Sequence, residues 1–342
     1  MIEVAILVCN FLSTITLNLL TGALLLGPVL RWLGRSDANS ARFKAGCELL
    51  SWIQHLLPLL VSLSGIYLLN LYLHFCRIYE VYNLSPSILI GAATLIIFGI
   101  PMQLIARKQK LPSSKHPLLN LILFGLSTIF SIVAFYMSDM VTFFFHETGL
   151  NFVFSSLVQS FLYLRSDPFT QAGYLHFLLA SFAVTGLAVG YQSLLLKQKR
   201  EPSAIKLGAG LYVLATLMQA PVGGYYFNLI PLELARRING ADMLASSNFL
   251  FAMVTMTASF VFMCLATKTA KEAHFTAGFY TALATIFSML YTRYELRTLK
   301  LEHYLAPTAD PDTFVTTSII CCLTLIAALD VFLVLRGQRK VK

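Results

Sequence analysis

Long apolar runs dominate the chain, and short polar segments separate them. Most runs hold about 20 residues or more, and a helix of about 20 apolar residues crosses the roughly 30 Å hydrocarbon core of a bilayer. The pattern therefore predicts an all-α, polytopic membrane helical bundle that forms a single integral-membrane domain over residues 1–342. About nine transmembrane helices are expected, at residues 4–30, 48–75, 84–106, 117–146, 172–196, 204–230, 246–267, 274–292 and 313–335.

The composition excludes an ordinary soluble domain, and the positions of the charges orient the bundle. Hydrophobic residues make up 57% of the sequence and charged residues 12%, and the mean hydropathy is +0.72. Because cytoplasmic loops are enriched in Lys and Arg, the charges place the N-terminus outside and the C-terminus in the cytoplasm. This topology accounts for the net charge of +9, so no nucleic-acid partner is expected. Of the 25 Lys and Arg residues, 18 fall in the segments 31–47, 107–116, 197–206, 268–273 and 336–342.

The six cysteines form no motif for a metal or a redox group. None of them stands in a CxxC or CxxCH pattern. The spacing therefore argues against a covalently attached c-type heme, a CxxC zinc site and a disulfide scaffold.

Four ionisable residues within predicted spans stand out, because ionisable groups in the membrane are costly and are candidates for function. His55 lies near the cytoplasmic side of the second span, and Asp139 lies in the outer third of the fourth. His176 lies near the outer end of the fifth span, and Asp330 near the inner end of the ninth. The remaining histidines stand at span ends or in a loop, where contact with water and headgroups explains them: His74, His116, His146, His274 and His303.

His176 lies in the stretch AGYLHFLLASFAVTGLAVG, residues 172–190. A neutral imidazole among apolar side chains suits an axial ligand of heme iron, with one ring nitrogen on the metal and the other held by a neighbour. A second ligand would come from another helix at similar depth, and Met253 and Met256 of the seventh span meet that condition. The sequence predicts one b-type heme near the outer side, held by His176 and by either Met253 or Met256.

The sixth span ends in QAPVGGYYFNLIP, which places two glycines in succession. Gly223 and Gly224 allow another backbone or a flat ligand to approach the helix closely. Simple helix packing explains the pair equally well, so both interpretations stay open.

The segment 152–197 resembles the fifth-helix region of the large subunit of cytochrome bd quinol oxidase, which has a surface helix followed by an early heme-ligating His. The stretch CNFLSTITLNLL resembles the first helix of that family, and LLNLILFGLSTIFSIVAFYMSDM resembles the fourth. The resemblance implies nine helices, heme b, quinone or quinol as substrate, a bacterial inner membrane and a seventh-helix Met ligand. In the fifth-helix region the matching residues are His176, Ala180, Ser181, Phe182, Thr185 and Gly186.

The chain departs from this family at the positions associated with oxygen reduction. The first-helix His ligand of the family corresponds to about Asn10, and its eighth-helix Glu ligand to about Leu283. The third span, LSPSILIGAATLIIFGIP, has no carboxylate where the family has two glutamates. The Gly-Arg-Gln-Pro-Trp motif is reduced to YTRYELR at 291–297, and the quinol-binding loop is shortened to 231–248. The resemblance therefore implies a retained low-spin heme site and a lost oxygen-reducing site.

These observations predict a membrane b-type cytochrome that transfers electrons between the quinone pool and a redox partner at the outer face, without reducing oxygen itself. The chain has no c-type heme motif and no soluble redox domain, so the partner is expected to be a separate subunit, for example a c-type cytochrome. Other membrane subunits are expected beside it. The outer segments would contact the partner through Arg236, Arg237, Arg293 and Arg297.

Two alternatives stay open. A divergent quinol oxidase subunit would use relocated heme ligands, with His55 holding a second heme nearer the cytoplasm. In either redox role Asp139 is a candidate for taking up a proton released by quinol oxidation. A heme-free multi-pass structural or transport subunit would instead use His176, Asp139 and Asp330 as a polar pathway.

Overall fold

The computed structural model describes residues 2–74, 117–139, 168–195, 202–230 and 232–301, and these residues are helical with short connections and no strand. The predicted spans 84–106 and 313–335 lie outside the described residues, as do residues 140–146 of the fourth span. The helices are α1 (Ile2–Leu33), α2 (Ala41–His74), α3 (Pro117–Asp139), α4 (Pro168–Leu195), α5 (Pro202–Asn228), α6 (Leu232–Arg236), a π-helical turn (Arg237–Ala241), α7 (Met243–Thr269) and α8 (Glu272–Leu301).

Five segments of these helices are long and apolar enough to cross a membrane. The prediction of a helical membrane bundle is therefore confirmed, whereas the number of nine transmembrane helices and the orientation of the chain stay predictions. The five segments are Phe11–Leu33, Gln171–Leu194, Pro202–Asn228, Met243–Thr269 and Glu272–Arg293.

Proline and aspartate residues mark the starts of several helices. Pro117, Pro168 and Pro202 are the first residues of α3, α4 and α5. Proline suits this position because its φ angle is already helical and the first turn needs no backbone N–H. Asp242 caps α7, where its Oδ1 accepts hydrogen bonds from the backbone N–H groups of Leu244 at 2.9 Å and Ala245 at 3.1 Å.

Two features at the predicted outer side differ from the sequence-based expectation. α8 continues to Leu301, past the predicted end at residue 292. Residues 293–301 contain no Gly or Pro and are rich in good helix formers, so the helical hydrogen bonding continues beyond the apolar segment. The connection between α6 and α7 contains the π-helical turn, and Gly240 there has φ +121°, a backbone conformation that side chains disfavour.

Neighbouring helices pack in a connected series. α1 packs against α2, α3 and α4; α4 packs against α5; and α5 packs against α7, which packs against α8. At the crossing of α4 and α5, a Cβ atom on Gly208 would lie 2.5 Å from the backbone oxygen of Gly186. Small residues at such crossings let helix backbones approach closely, as is common in membrane bundles. This close crossing aligns α5 along α4 and brings His176 next to α5.

Candidate functional site

The His176 ring lies on the side of α4 that faces α5. Its Nε2 atom is 3.3 Å from Nε2 of Gln219. A Cβ atom on Gly223 would lie 3.4 Å from Nδ1 and from Cε1 of the same ring. Positions 219, 223 and 226 share one face of α5, because residues three and four apart in a helix lie above one another. The site is therefore assembled from one residue of α4 and one stripe of α5.

Aromatic side chains continue the site toward the start of α4. The rings of His176 and Tyr226 are stacked with their centroids 6.1 Å apart and an angle of 15° between the planes. Tyr226 also stacks on Phe169, with a centroid distance of 4.8 Å and an angle of 26°. Phe169 and His176 are seven residues apart, so both lie on the same face of α4. Three nearly parallel rings thus line this end of the interface.

One polar atom of the site has no partner. Gln219 Nε2 is an amide nitrogen that donates and does not accept, so His176 Nε2 accepts this hydrogen bond and the imidazole proton resides on Nδ1. The Nδ1 atom is buried, and nothing in the described part of the chain forms a hydrogen bond with it. A buried N–H without an acceptor is unfavourable, because its hydrogen bonds to water are lost and not replaced.

A second group of polar contacts holds α4 against α1 and α3. Ser181 Oγ donates to Asn18 Oδ1 at 2.8 Å, and Asn18 Nδ2 donates to the backbone oxygen of Thr14 at 2.9 Å. The hydroxyl groups of Tyr174 and Ser131 are 2.8 Å apart. These contacts flank His176 along α4, so they limit rotation of the helix and keep the imidazole directed toward α5.

The two predicted methionine ligands lie on α7. Tyr212 of α5 is hydrogen bonded to Ser259 of α7 at 2.7 Å, and Phe227 stacks on Phe249 at 5.5 Å. These pairs show that α5 and α7 run in opposite directions, and they place residue 219 at about the depth of residues 253–256.

The direction of the Met253 side chain differs from that of a ligand to His176. Met253 is 38% exposed and lines an open groove of about 530 Å³ on α7. All residues that line this groove belong to α7, whereas Ala252 and Ser259 of the same helix are buried against its neighbours. Met256 is half-buried and lies four residues after Ala252 and three before Ser259, on the face of α7 that packs against its neighbours. The groove is formed by Met253, Val254, Thr257, Ala258, Val261 and Phe262.

The described side chains do not fit a heme on His176 as they stand. Nε2 is hydrogen bonded to Gln219, and Nδ1 is next to the Cβ atom of His176 itself and faces Gly223. A heme would need a ring nitrogen directed into a space wide enough for the whole macrocycle. The ligand pair of His176 with Met253 or Met256 therefore stays a prediction.

The other predicted site residues are distributed over the bundle. His55 is half-buried in α2, and Asp139 is the last residue of α3. Arg236 and Arg237 are exposed at the connection between α6 and α7. Arg293 is half-buried in α8, which also contains Arg297. Asp330 and three of the histidines lie outside the described residues, namely His116, His146 and His303.

Sequence reasoning missed Gln219 and Tyr226 as neighbours of His176, and it missed the contact between Asn18 and Ser181. The glycine pair was noticed, and the structure places Gly223 directly beside the imidazole. A signal for the others existed, because polar side chains inside apolar spans usually hydrogen bond across helices. Their partners were not evident, because the sequence does not determine how the helices are rotated.

Comparison with known proteins supports the fold. No protein-family model and no curated protein matches the chain. The fold is similar to a chain in the structure of the bd oxidase from Geobacillus thermodenitrificans, with a TM-score of 0.69 and 14% sequence identity. The likeness covers 99% of both chains. The chain therefore has a bd-oxidase-like membrane fold, while the expected c-type cytochrome partner gains no support.

Proposed function

We propose that the chain is a membrane subunit of a quinol-oxidising respiratory complex in a bacterial inner membrane. The observation that carries this proposal is the fold likeness to a bd oxidase chain, which extends over nearly the whole of both chains. The five span-capable segments suit a subunit embedded in the bilayer. The resemblance of residues 152–197 adds support, since it includes α4 and the site around His176.

Within such a complex, the residues of this chain suit quinone handling better than oxygen reduction. Reduction of oxygen requires an iron with an open coordination position and proton carriers inside the membrane. The positions that correspond to two heme ligands of the family hold Asn10 and Leu283, and the third predicted span has no carboxylate. We therefore assign oxygen reduction to a partner subunit and a part in quinol handling to this chain.

The test is purification of the complex in mild detergent through a tag on this chain, followed by oxygen uptake with decylubiquinol. We expect quinol-dependent oxygen uptake and a heme-containing partner subunit in the same chromatographic peak. Membranes from cells without the chain are the control, and they should lose this uptake. A tagged chain that purifies alone, together with full uptake in the deletion strain, would contradict the proposal.

A b-type heme on His176, with electron transfer to an outer partner, is the second candidate. It is supported by the depth of Met253 and Met256 along α7. It requires Gln219 to turn away, so that Nε2 becomes free. Iron bound there would supply one-electron transfer, and the apolar side chains of the bundle would exclude water from it.

A dithionite-reduced minus air-oxidised absorbance spectrum of the purified full-length chain tests the heme candidate. If His176 binds heme, the wild type shows a sharp low-spin α-band that is absent in His176→Ala and present in His55→Ala. Met253→Leu and Met256→Leu then identify the second ligand, because only one of them should alter the band. A folded wild-type chain without such a band excludes this candidate.

A further inference from the structure

The turn between α1 and α2 brings two arginine residues close together. The backbone N–H of Asp37 donates to the backbone oxygen of Gly34 at 3.1 Å, which closes the turn. A Cβ atom on Gly34 would lie 2.5 Å from the backbone nitrogen of Phe43, so the end of α1 touches the first turn of α2. Arg35 and Arg42 are the chain neighbours of these two contacting residues, which places their Cα atoms within about 10 Å of each other.

The guanidinium group of Arg35 lies on an exposed aromatic ring. Its Cζ atom is 4.9 Å from the centroid of the Trp32 ring, and Trp32 is 52% exposed. Stacking occupies one flat side of the guanidinium and leaves the N–H groups in its plane for other acceptors. Because the ring restricts the motion of the side chain, less freedom is lost when Arg35 binds a ligand. Arg42, the second residue of α2, is also exposed.

The surface of α1 that leads up to these arginines is apolar. Val29, Trp32 and Leu33 are all exposed, and they share one face of α1 because they lie three and four residues apart. They belong to the segment Phe11–Leu33, which is long and apolar enough to cross a membrane. This face therefore ends where the hydrocarbon of the bilayer gives way to head groups, the level that tryptophan prefers. An exposed apolar surface thus adjoins an exposed cationic one.

The charge of the turn restricts the class of ligand. Residues 31–47 contain four basic side chains and one acidic side chain, Asp37. Arg31 is buried, so Arg35 and Arg42 are the arginines that this segment presents at the surface. Such a surface attracts anions and repels the ammonium group of a zwitterionic lipid. Arginine suits phosphate in particular, because its planar group donates two parallel hydrogen bonds. A molecule with apolar chains and an anionic phosphate head meets all of these conditions.

We propose that Trp32, Arg35 and Arg42 form a binding site for one anionic phospholipid. The lipid phosphate contacts the two guanidinium groups, and the acyl chains lie along the exposed face of α1 at Val29 and Leu33. Such a lipid fixes the α1–α2 turn at the head-group level of the bilayer, on the predicted cytoplasmic side. The inference goes beyond the proposed function and does not rest on it, because it requires only that α1 lies in a membrane.

The test uses the fluorescence of Trp32 itself. The chain has two tryptophans, so Trp52→Phe leaves Trp32 as the single fluorescent indole. The full-length chain with this change is purified in detergent and titrated with brominated phosphatidylglycerol or brominated phosphatidylcholine, whose bromine atoms quench a nearby indole. We expect phosphatidylglycerol to quench at a lower mole fraction than phosphatidylcholine, with each arginine contributing about fivefold to the difference.

Charge variants separate a defined site from general attraction to the membrane surface. Arg35→Gln should weaken the binding of phosphatidylglycerol about fivefold and change that of phosphatidylcholine little. Arg35→Lys keeps the charge but loses the planar donor group, so it should restore only part of the affinity. Lys271→Gln removes one positive charge from an exposed position between α7 and α8, and it should bind as the chain without this change does. If Arg35→Gln does not fold, Arg42→Gln provides the same comparison.

Three results would overturn the site. The first is equal quenching by the two lipids, and the second is an equal effect of Arg35→Gln and Lys271→Gln. The third is loss of quenching when inorganic phosphate is added, since free phosphate and not a lipid would then be the ligand. Native mass spectrometry of the chain with both tryptophans is an independent measurement, and it decides the question if Trp52→Phe does not fold. It should find one retained phosphatidylglycerol, and none when Arg35→Gln and Arg42→Gln are combined.

Discussion

Adding one methyl group at Gly208 is expected to force α4 and α5 apart. In Gly208→Ala the new Cβ would lie 2.5 Å from the Gly186 oxygen, 2.6 Å from the Gly190 nitrogen and 2.8 Å from the Gly190 Cα. All three atoms belong to the backbone of α4, so no side chain can rotate away to relieve the contact. We expect destabilisation of about 3 kcal/mol, the upper end of the usual range for an overpacked core. Thermal unfolding of the detergent-solubilised chain measures it.

Gly210→Ala is the matched control, since it adds the same methyl group two residues further along α5. Among the described residues, nothing lies within 4 Å of a Cβ at Gly210. Its effect on the melting temperature should be small, or slightly favourable because alanine has the higher helix propensity. The close crossing also holds Gln219 next to His176. Equal melting temperatures for the two variants would show that α4 and α5 do not cross as described.

Truncation of Phe275 is expected to have the second large effect. Phe275 is fully buried in α8, and its ring reaches α4, where it occupies the place of a side chain on Gly190. Phe275→Ala removes this ring and leaves a cavity, which typically costs about 3–5 kcal/mol. In a bilayer the loss is mainly one of van der Waals packing, because lipid is as apolar as the helix interior. Thermal or chemical unfolding of the purified chain gives the measurement.

The control for this variant is Phe287→Ala, which removes the same ring from a 45% exposed position of α8. A double-mutant cycle tests the contact between positions 190 and 275 directly. Gly190→Ala should be strongly destabilising with Phe275 in place and much less destabilising in combination with Phe275→Leu. Coupling of this kind is expected for residues in direct contact. Additive effects at positions 190 and 275 would mean that the ring does not lie over Gly190.

The helical character of the bundle followed from local properties of the chain. Apolar runs of spanning length predicted helices, and the structure has a helix in each predicted span that it describes in whole or in part. The end of α8 was less predictable, since a helix ends where its hydrogen bonding ends and not where its apolar residues end. Residues 293–301 continue the helix with polar side chains.

The candidate site was predictable only in part. His176 was identified because an imidazole inside an apolar span needs a partner, and Gly223 because a glycine pair leaves one side of a helix free. The identity of the partner was not predictable, since Gln219 and Met253 lie at about the same depth on different helices. Rotation of the helices directs Gln219 toward the imidazole and Met253 into the groove of α7.

The sequence by itself determined that this protein is a helical membrane bundle with a polar residue buried near the predicted outer end of α4. Hydrophobicity and helical hydrogen bonding act over neighbouring residues, so they can be read along the chain. The tertiary structure alone decided which side chains meet that residue. Those contacts depend on the rotation and crossing of α4 and α5, which follow from packing at Gly186 and Gly208 and have no counterpart in local sequence.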